Sequence, residues 1–145
     1  MKHLFSICIF ALGLLFFTSC SQDNEVGSSD YLIGQWKTTK EIVTTLENDQ
    51  KKSESTSYPG DDEALFLEFM PDRTFSMIQF KDGYSYLDEG SYAKVESRLV
   101  LSPNSADGAI VMHIRTLTPT NLVLVEEERA KDITVRQELY FDKVF

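Results

Sequence analysis

The chain has 145 residues, with 14 Lys and Arg against 23 Asp and Glu, and a formal net charge of −9 at pH 7. This acidity argues against nucleic acid as a partner and against docking on anionic lipid head groups. Hydrophobic residues make up 42% of the chain, and 12% of it is aromatic, which predicts a globular protein rather than a disordered one.

Residues 1–19 have the layout of a secretory signal peptide. Lys2 gives a positive start, and Leu4–Phe17 is apolar apart from Ser6. These 14 residues are too few to span a hydrocarbon core of about 30 Å, which needs ~20 residues in a helix. The pattern therefore predicts a cleaved leader, which plays no part in the fold.

Cys20 follows the apolar run directly, in the sequence Phe17-Thr18-Ser19-Cys20. This segment resembles a bacterial lipobox, in which the cysteine thiol receives diacylglycerol and the leader is cut just before it. The alternative is an ordinary signal peptide that happens to contain a cysteine. Cleavage would remove Cys8 and Lys2, so the mature chain would hold no second thiol and its charge would change from −9 to −10. Two acyl chains give lasting membrane attachment.

Residues 20–30 form a polar, acidic stretch that cannot bury a core, so they are predicted to be a tether between the lipid and the folded domain. The acidic run after the cysteine resembles the signal that exports lipoproteins of Bacteroides-like bacteria to the cell surface. The alternative is a solvated spacer on a protein that faces the periplasm. The predicted location is the bacterial cell envelope, at the outer membrane, on its periplasmic or surface face.

Residues 31–145 are predicted to form one β domain, because strand-like runs bounded by turn residues recur about every 8–12 residues. A polar loop is expected at 48–62, a hairpin at Asp82-Gly83 and a bulge or bend at Gly90. The eight predicted strands are Ile33–Leu46, Ala64–Met70, Thr74–Phe80, Tyr84–Val95, Arg98–Leu101, Ala109–Arg115, Leu122–Glu126 and Ile133–Phe141. Short connections favour antiparallel neighbours, and closure removes exposed edges. The predicted fold is a small eight-stranded antiparallel up-and-down barrel.

Four segments of this domain resemble the lipocalin-like lipoproteins of Bacteroides-type bacteria. They are Gly34-Gln35-Trp36, Phe69 to Phe75 with Pro71-Asp72-Arg73 at the turn, Gly90-Ser91-Tyr92, and Leu117 to Leu124 with Thr118-Pro119-Thr120-Asn121. The resemblance implies a lipocalin-type barrel in which Trp36 plugs the closed end. It also implies that a late arginine, Arg136 or Arg129, stacks on that indole through a cation–π contact.

Alternation from an inward Trp36 places ten further residues on the inner face of the barrel. They are Leu67, Phe69, Phe75, Met77, Tyr92, Met112, Ile114, Leu124, Val135 and Leu139. A pocket for a small hydrophobic ligand has such a lining. A filled core has the same pattern, so both interpretations stay open.

No catalytic group, metal site or cofactor is predicted. His113 is the only histidine outside the leader, and neither a second histidine nor a spare cysteine is present to complete a triad or a zinc site. Acidic clusters at 61–63, 88–89 and 126–128 are interpreted as solvated charges at turns and strand ends. The alternatives for these clusters are a carboxylate pair for glycoside hydrolysis and a calcium site.

The predicted function is that of a membrane-anchored, non-enzymatic lipocalin-like lipoprotein that binds a small hydrophobic molecule. One alternative is a structural or protein-interaction subunit of an envelope complex with a filled barrel. The remaining alternative is an enzyme, which would need polar groups converging around His113 or a carboxylate pair.

Overall fold

The computed structural model of the protein describes residues 27–144. The predicted signal peptide 1–19, the predicted acylation site Cys20 and the tether as far as residue 26 lie outside the described residues, as does Phe145.

The described chain begins with one turn of 3-10 helix, Ser29–Tyr31, and continues as nine strands. The strands are β1 Gly34–Glu47, β2 Gln50–Ser57, β3 Leu65–Phe69, β4 Thr74–Lys81, β5 Tyr84–Val95, β6 Arg98–Pro103, β7 Ile110–Leu117, β8 Asn121–Ala130 and β9 Ile133–Val144. Every strand pair is antiparallel. Within residues 27–144, no helix has the length and apolar character needed to cross a bilayer.

The nine strands occupy eight positions in a closed barrel. Strand β1 pairs with β9 along one edge. Its other edge pairs with β3 over Gly34–Lys37 and with β2 over Glu41–Glu47, so β2 and β3 follow one another along the same edge. Together they form one barrel strand that is interrupted at 58–64. The remaining strands pair in chain order, and the β1–β9 pairing closes the sheet. The prediction of an eight-stranded antiparallel barrel is confirmed.

The predicted loop at 48–62 is wrong in its first half, because these residues include β2. Asn48 and Asp49 have φ values of 52° and 60°, the left-handed geometry of a tight two-residue hairpin turn. All eight residues of β2 are exposed. A strand whose two faces are both exposed to solvent has no alternation of apolar and polar residues. That alternation identified the other strands, so β2 was not predicted.

The turn expected at Asp82-Gly83 is confirmed, with φ values of 53° and 79° and the pair Lys81–Tyr84 closing it. The bulge expected at Gly90 is wrong, because β5 pairs through Gly90 without a shift of register on either side. The irregularities lie instead at Thr38/Lys40 and Thr45/Leu46 of β1 and at Ile114/Thr116 of β7.

The up-and-down order gives the barrel two distinct ends. We call the end formed by the 3-10 helix and the turns at 70–73, 96–97 and 118–120 the closed end. We call the end formed by the turns at 48–49, 82–83, 104–109 and 131–132 the open end.

A continuous apolar core fills the half of the barrel next to the closed end, which we call the closed half. Its buried members are Leu32, Trp36, Leu67, Phe69, Phe75, Leu99, Leu101, Ile114, Leu117, Leu122, Leu124 and Phe141. Burial of these side chains is the main favourable contribution to folding.

Candidate functional site

The strand register directs all ten predicted pocket residues to the inside of the barrel. Leu67 lies between Trp36 and Met77 in adjacent strands, and these cross-strand neighbours share one face. Ile114, Leu124 and Leu139 form a second such row across β7, β8 and β9. The bulge at Thr38/Lys40 is needed for this arrangement. Glu41 comes five positions after Trp36, which in a regular strand would put the two side chains on opposite faces, and the bulge returns them to the same face.

Burial divides the ten residues into two groups. Five of them belong to the sealed core of the closed half: Leu67, Phe69, Phe75, Ile114 and Leu124.

The other five are only partly covered. Met77, Met112 and Leu139 are half-buried and pack on top of the core, whereas Val135 is 38% exposed. Tyr92 is also half-buried, but it lies at the rim of the closed end. Inward side chains that remain accessible define an open half above the core.

Two further inward residues belong to this open half and were missed. Leu65 pairs with Gln79 two positions from Leu67, and Ile110 pairs with Leu101 two positions from Met112. Both are half-buried and pack against the core. The same alternation that identified Leu67 and Met112 could have identified them. With Met77, Met112 and Leu139 they make an apolar floor for the open half.

Carboxylates stand above this floor. Glu41 faces inward beside Leu139, and its carboxylate accepts hydrogen bonds from Gln137 Nε2 at 2.7 Å and from Ser57 Oγ at 3.4 Å. Asp88 is paired with Met77 across β4 and β5, and it accepts a hydrogen bond from the hydroxyl of Ser105. Glu126 is half-buried opposite Gln137. The open half therefore combines an apolar floor with acidic, hydrogen-bonding walls, which suits an amphipathic molecule.

Trp36 lies at the closed end and is fully buried. Its indole Nε1 donates a hydrogen bond of 2.7 Å to the carbonyl oxygen of Leu32, just after the 3-10 helix. The ammonium of Lys143 stands 5.0 Å from the indole ring centroid and also donates to the carbonyl of Tyr31 at 3.1 Å.

The prediction that Arg136 or Arg129 stacks on Trp36 is wrong. Arg136 pairs with Thr44 in the open half, and its guanidinium forms an ion pair with Glu127. Arg129 lies near the open end, 3.8 Å from Asp49. Strand β9 runs from the open end to the closed end, so only its last residues come near the indole. Lys143 occupies that position, one residue before the end of the strand.

Tyr92 supports the closed end from β5. Its hydroxyl donates a 3.0 Å hydrogen bond to the carbonyl of Met70, and its ring packs edge-on against Phe69 with centroids 5.0 Å apart. Burial raises the pKa of this phenol above its ordinary value, the nearby Asp72 carboxylate raises it further, and Arg73 opposes the effect.

His113 lies on the outer wall, exposed, in the pair with Val125. The acidic cluster at 61–63 is in an exposed turn, as expected. The clusters at 88–89 and 126–128 are strand residues of β5 and β8, contrary to the prediction, and their side chains alternate between the two faces of the wall. Within residues 27–144, no three His, Cys, Asp or Glu side chains converge as a metal site would require.

The surface formed by residues 27–144 includes four concavities of about 190–450 Å³, and none of the four is lined by Met77, Met112 or Leu139. Each is lined by at most one of the ten predicted pocket residues. The smallest is on the outer wall, beside an apolar patch made of Phe66, Ile78, Phe80 and Leu87.

A family model described as "Lipocalin-like domain" matches residues 32–124. The chain belongs to the lipocalin-like domain family. The match extends from Leu32, whose carbonyl holds the indole of Trp36, to Leu124 in β8. No curated protein sequence matches the chain.

Solved structures agree with the lipocalin-like fold. A lipocalin-like protein from Bacteroides uniformis is 16% identical, with a TM-score of 0.51 over 79% of this chain and 99% of that chain. Apocrustacyanin C2 is 12% identical, with a TM-score of 0.52 over 79% of this chain and 61% of that chain. At these identities the likeness concerns the fold alone.

Proposed function

We propose that this lipocalin-like protein is a non-enzymatic lipoprotein of the bacterial envelope that binds a small amphipathic molecule in the open half of its barrel. In this proposal the leader is removed after residue 19, Cys20 carries the lipid, and the predicted tether 20–30, which lies against the barrel from Gly27 onward, joins the barrel to the outer membrane. The barrel faces the periplasm or the cell exterior.

The observation that carries the ligand proposal is the difference in burial along the inner face. A barrel that was only a structural plug would seal its inward side chains from one end to the other. Here the core residues of the closed half are sealed and only Tyr92 at its rim is partly covered, whereas Met77, Met112 and Leu139 in the open half all stay partly accessible. Covering apolar surface that remains in contact with solvent lowers the free energy, so these partly accessible side chains offer a ligand a favourable contact.

A fluorescence titration with N-phenyl-1-naphthylamine, an apolar probe, tests the binding site. The variant Met112→Trp places a bulky ring on the floor of the open half and should weaken probe binding at least about tenfold, which is ~1.4 kcal/mol. The matched control is Val111→Trp on the outer face of the same strand, where the native residue is 48% exposed. Equal affinities for the two variants would place the probe outside the open half.

Native mass spectrometry of the barrel isolated from its host then searches for a co-purifying small molecule. A mass that is present in the wild-type protein and absent from Met112→Trp identifies the ligand.

The anchor rests on the segment Phe17-Thr18-Ser19-Cys20 after the apolar run. The variant Cys20→Ala should abolish metabolic labelling with a fatty acid and release the protein from the membrane fraction. Cys8→Ala is the control and should leave the labelling intact. Labelling that survives Cys20→Ala would contradict the anchor.

A second candidate function is that of an interaction subunit of an envelope complex. The apolar patch on the outer wall favours it, since Leu87 is 64% exposed and Phe66 and Phe80 pack edge-on with centroids 5.9 Å apart. For this function, Leu87→Ser should reduce the size of the complex in a native gel of membrane extracts, while the exposed Tyr84→Ser on the same strand should not.

A further inference from the structure

We propose that the barrel stands on the membrane with its closed end toward the lipid surface and its open half facing away. This orientation rests on the proposed acylation of Cys20. It follows from where the described chain begins, how far the preceding residues reach, and how charge is distributed between the two ends.

The described chain begins against the closed end. The backbone N–H of Gly27 donates a 3.0 Å hydrogen bond to the carbonyl of Leu117, the last residue of β7. A side chain on Gly27 would meet that carbonyl oxygen at 2.7 Å and the ring of Tyr31 at 2.5 Å. Gly27 therefore fits a slot at the closed end that admits only a glycine, and this contact fixes the point at which the tether leaves the barrel.

The tether is shorter than the barrel. Six residues separate Cys20 from Gly27, and the seven steps from one Cα atom to the next reach about 23–25 Å when the chain is extended. Strand β1 has 14 residues, which at ~3.3 Å each and a tilt of about 40° give a barrel roughly 35 Å high. An acylated Cys20 consequently cannot reach a membrane that lies against the open end.

Charge is distributed unevenly between the two ends. In the closed end together with the strand residues that flank it, within 27–33, 70–73, 94–98, 117–120 and 142–144, four basic residues balance four acidic ones. The basic residues are Arg73, Lys94, Arg98 and Lys143, and the acidic ones are Asp30, Asp72, Glu96 and Asp142.

The rest of the barrel carries the whole net charge. Outside residues 27–144 the sequence has Lys2, Asp23 and Glu25 as its charged side chains, so 13 of the 14 basic and 21 of the 23 acidic residues belong to the barrel. Because the closed end is neutral, the net charge of −8 lies on the remainder. Anionic lipid repels negative charges that lie within a Debye length, which is about 8 Å at physiological ionic strength. The neutral end is the one that can approach such a surface closely.

The partner is therefore a lipid bilayer surface, and the apposed protein surface includes Pro71, Arg73, Lys94 and Val95 around a concavity of about 310 Å³. A ligand of the open half would exchange with the aqueous phase or with a second protein, and not directly with the bilayer that holds the anchor.

Energy transfer from a single labelled cysteine to a lipid head group tests this orientation. The full-length lipidated protein is reconstituted into vesicles of phosphatidylethanolamine and phosphatidylglycerol that carry a head-group acceptor dye. Thr120→Cys and Asp132→Cys place the donor at exposed turns at the two ends of β8, and the processed chain contributes no other free thiol. Transfer from Thr120→Cys should be several-fold stronger than from Asp132→Cys.

Flotation of the vesicles separates the two proposals. If neither labelled protein floats with the vesicles, the anchor fails and the orientation fails with it. If both float and transfer from Asp132→Cys equals or exceeds that from Thr120→Cys, the anchor stands and the orientation is wrong. A longer tether tests the two arguments for the orientation. With about 12 Gly and Ser residues inserted after Glu25, the difference in energy transfer between Thr120→Cys and Asp132→Cys should decrease in uncharged phosphatidylcholine vesicles. In anionic vesicles more of that difference should be preserved. If neither tether length nor lipid charge changes this difference in energy transfer, the arguments from tether reach and from charge distribution are both contradicted.

Discussion

The closed and open halves of the barrel differ in how their residues are constrained. In the closed half the inward side chains are sealed together, and Trp36 and Tyr92 each donate a hydrogen bond to a backbone carbonyl. The open half exposes inward side chains such as Val135, and its walls carry Glu41 and Asp88. The four segments that resemble lipocalin-like lipoproteins all lie in or beside the closed half. The short motifs that carry the resemblance thus belong to the half whose packing holds the barrel together, whereas the family model matches residues 32–124, which run through both halves.

The largest expected difference between the halves is in packing energy. The variant Phe75→Ala removes a fully buried ring from the closed half and should lower the free energy of unfolding by about 3–5 kcal/mol. Tyr84→Ala removes an aromatic ring of the open half that is 69% exposed, and should change the free energy of unfolding by no more than ~0.5 kcal/mol. Urea unfolding followed by the fluorescence of the single Trp36 measures both. If the two variants lose similar amounts of unfolding free energy, the closed half is not more tightly packed than the open half.

Glycine packing sharpens the same comparison. A side chain on Gly90 would collide with the carbonyl oxygen of Ser102 and approach Phe75 and Pro103 to 2.9 Å. Because Ser102 and Pro103 would present backbone atoms, Gly90→Ala should destabilise the protein by about 1–3 kcal/mol. Gly108→Ala, in the loop at the open end, meets nothing within 4 Å and should leave the melting temperature unchanged. Calorimetry distinguishes the two, and a neutral Gly90→Ala would mean that β5 and β6 separate more easily than their pairing indicates.

A pH titration isolates one hydrogen bond of the closed half. The pKa of Tyr92 lies above its ordinary value of 10.0, chiefly because of burial, so the unfolded chain loses this proton at lower pH than the folded protein. The stability that the protonated hydroxyl contributes is therefore complete below about pH 10 and is lost as the pH rises through the folded pKa.

The variant Tyr92→Phe should accordingly be less stable than wild type by about 0.5–1.5 kcal/mol at pH 7, and the gap should shrink above pH 10. Tyr84→Phe at the open end should show no gap at pH 7. A gap for Tyr92→Phe that stays constant across this range would mean that the phenol does not titrate differently in the two states.

The smallest expected effect concerns the cation beside Trp36. The variant Lys143→Met should alter the emission of Trp36 and cost about 0.5–1 kcal/mol, because the ammonium contacts both the indole face and the Tyr31 carbonyl. Arg136→Met, in the open half, should leave the emission spectrum unchanged. A shift produced by Arg136→Met and not by Lys143→Met would restore the arginine that the family resemblance implies.

Sequence reasoning predicted the barrel well because eight of the nine strands carry residues that must be hidden on one side. Met77 and Leu139 were identified by alternation alone, and their place on the inner face is the same in the structure. Strand β2 was not predicted, because none of its side chains is buried and its sequence therefore has no hydrophobic pattern.

Lys143, the cation beside the indole of Trp36, was not predicted for a different reason. Only the last residues of β9 come near Trp36, and the expected Arg136 or Arg129 was taken from the family resemblance, which does not tell where β9 ends relative to β1. The pairing of the two strands places Lys143 beside the indole, and no local pattern of residues marks that register. The walls of the open half share this difficulty, because an inward Glu41 and an outward Glu138 have the same alternating context.

The edge of β2 has a consequence for the membrane-anchored arrangement that we propose. Within residues 27–144 this strand pairs with β1 alone, so its second edge presents unpaired backbone donors and acceptors. Its sequence from Gln50 to Ser57 alternates Lys, Glu, Ser and Thr and offers nothing apolar to a neighbour. Charged, polar edges resist the sideways strand addition by which β proteins aggregate. Many copies could thus stand side by side on one membrane and remain separate barrels.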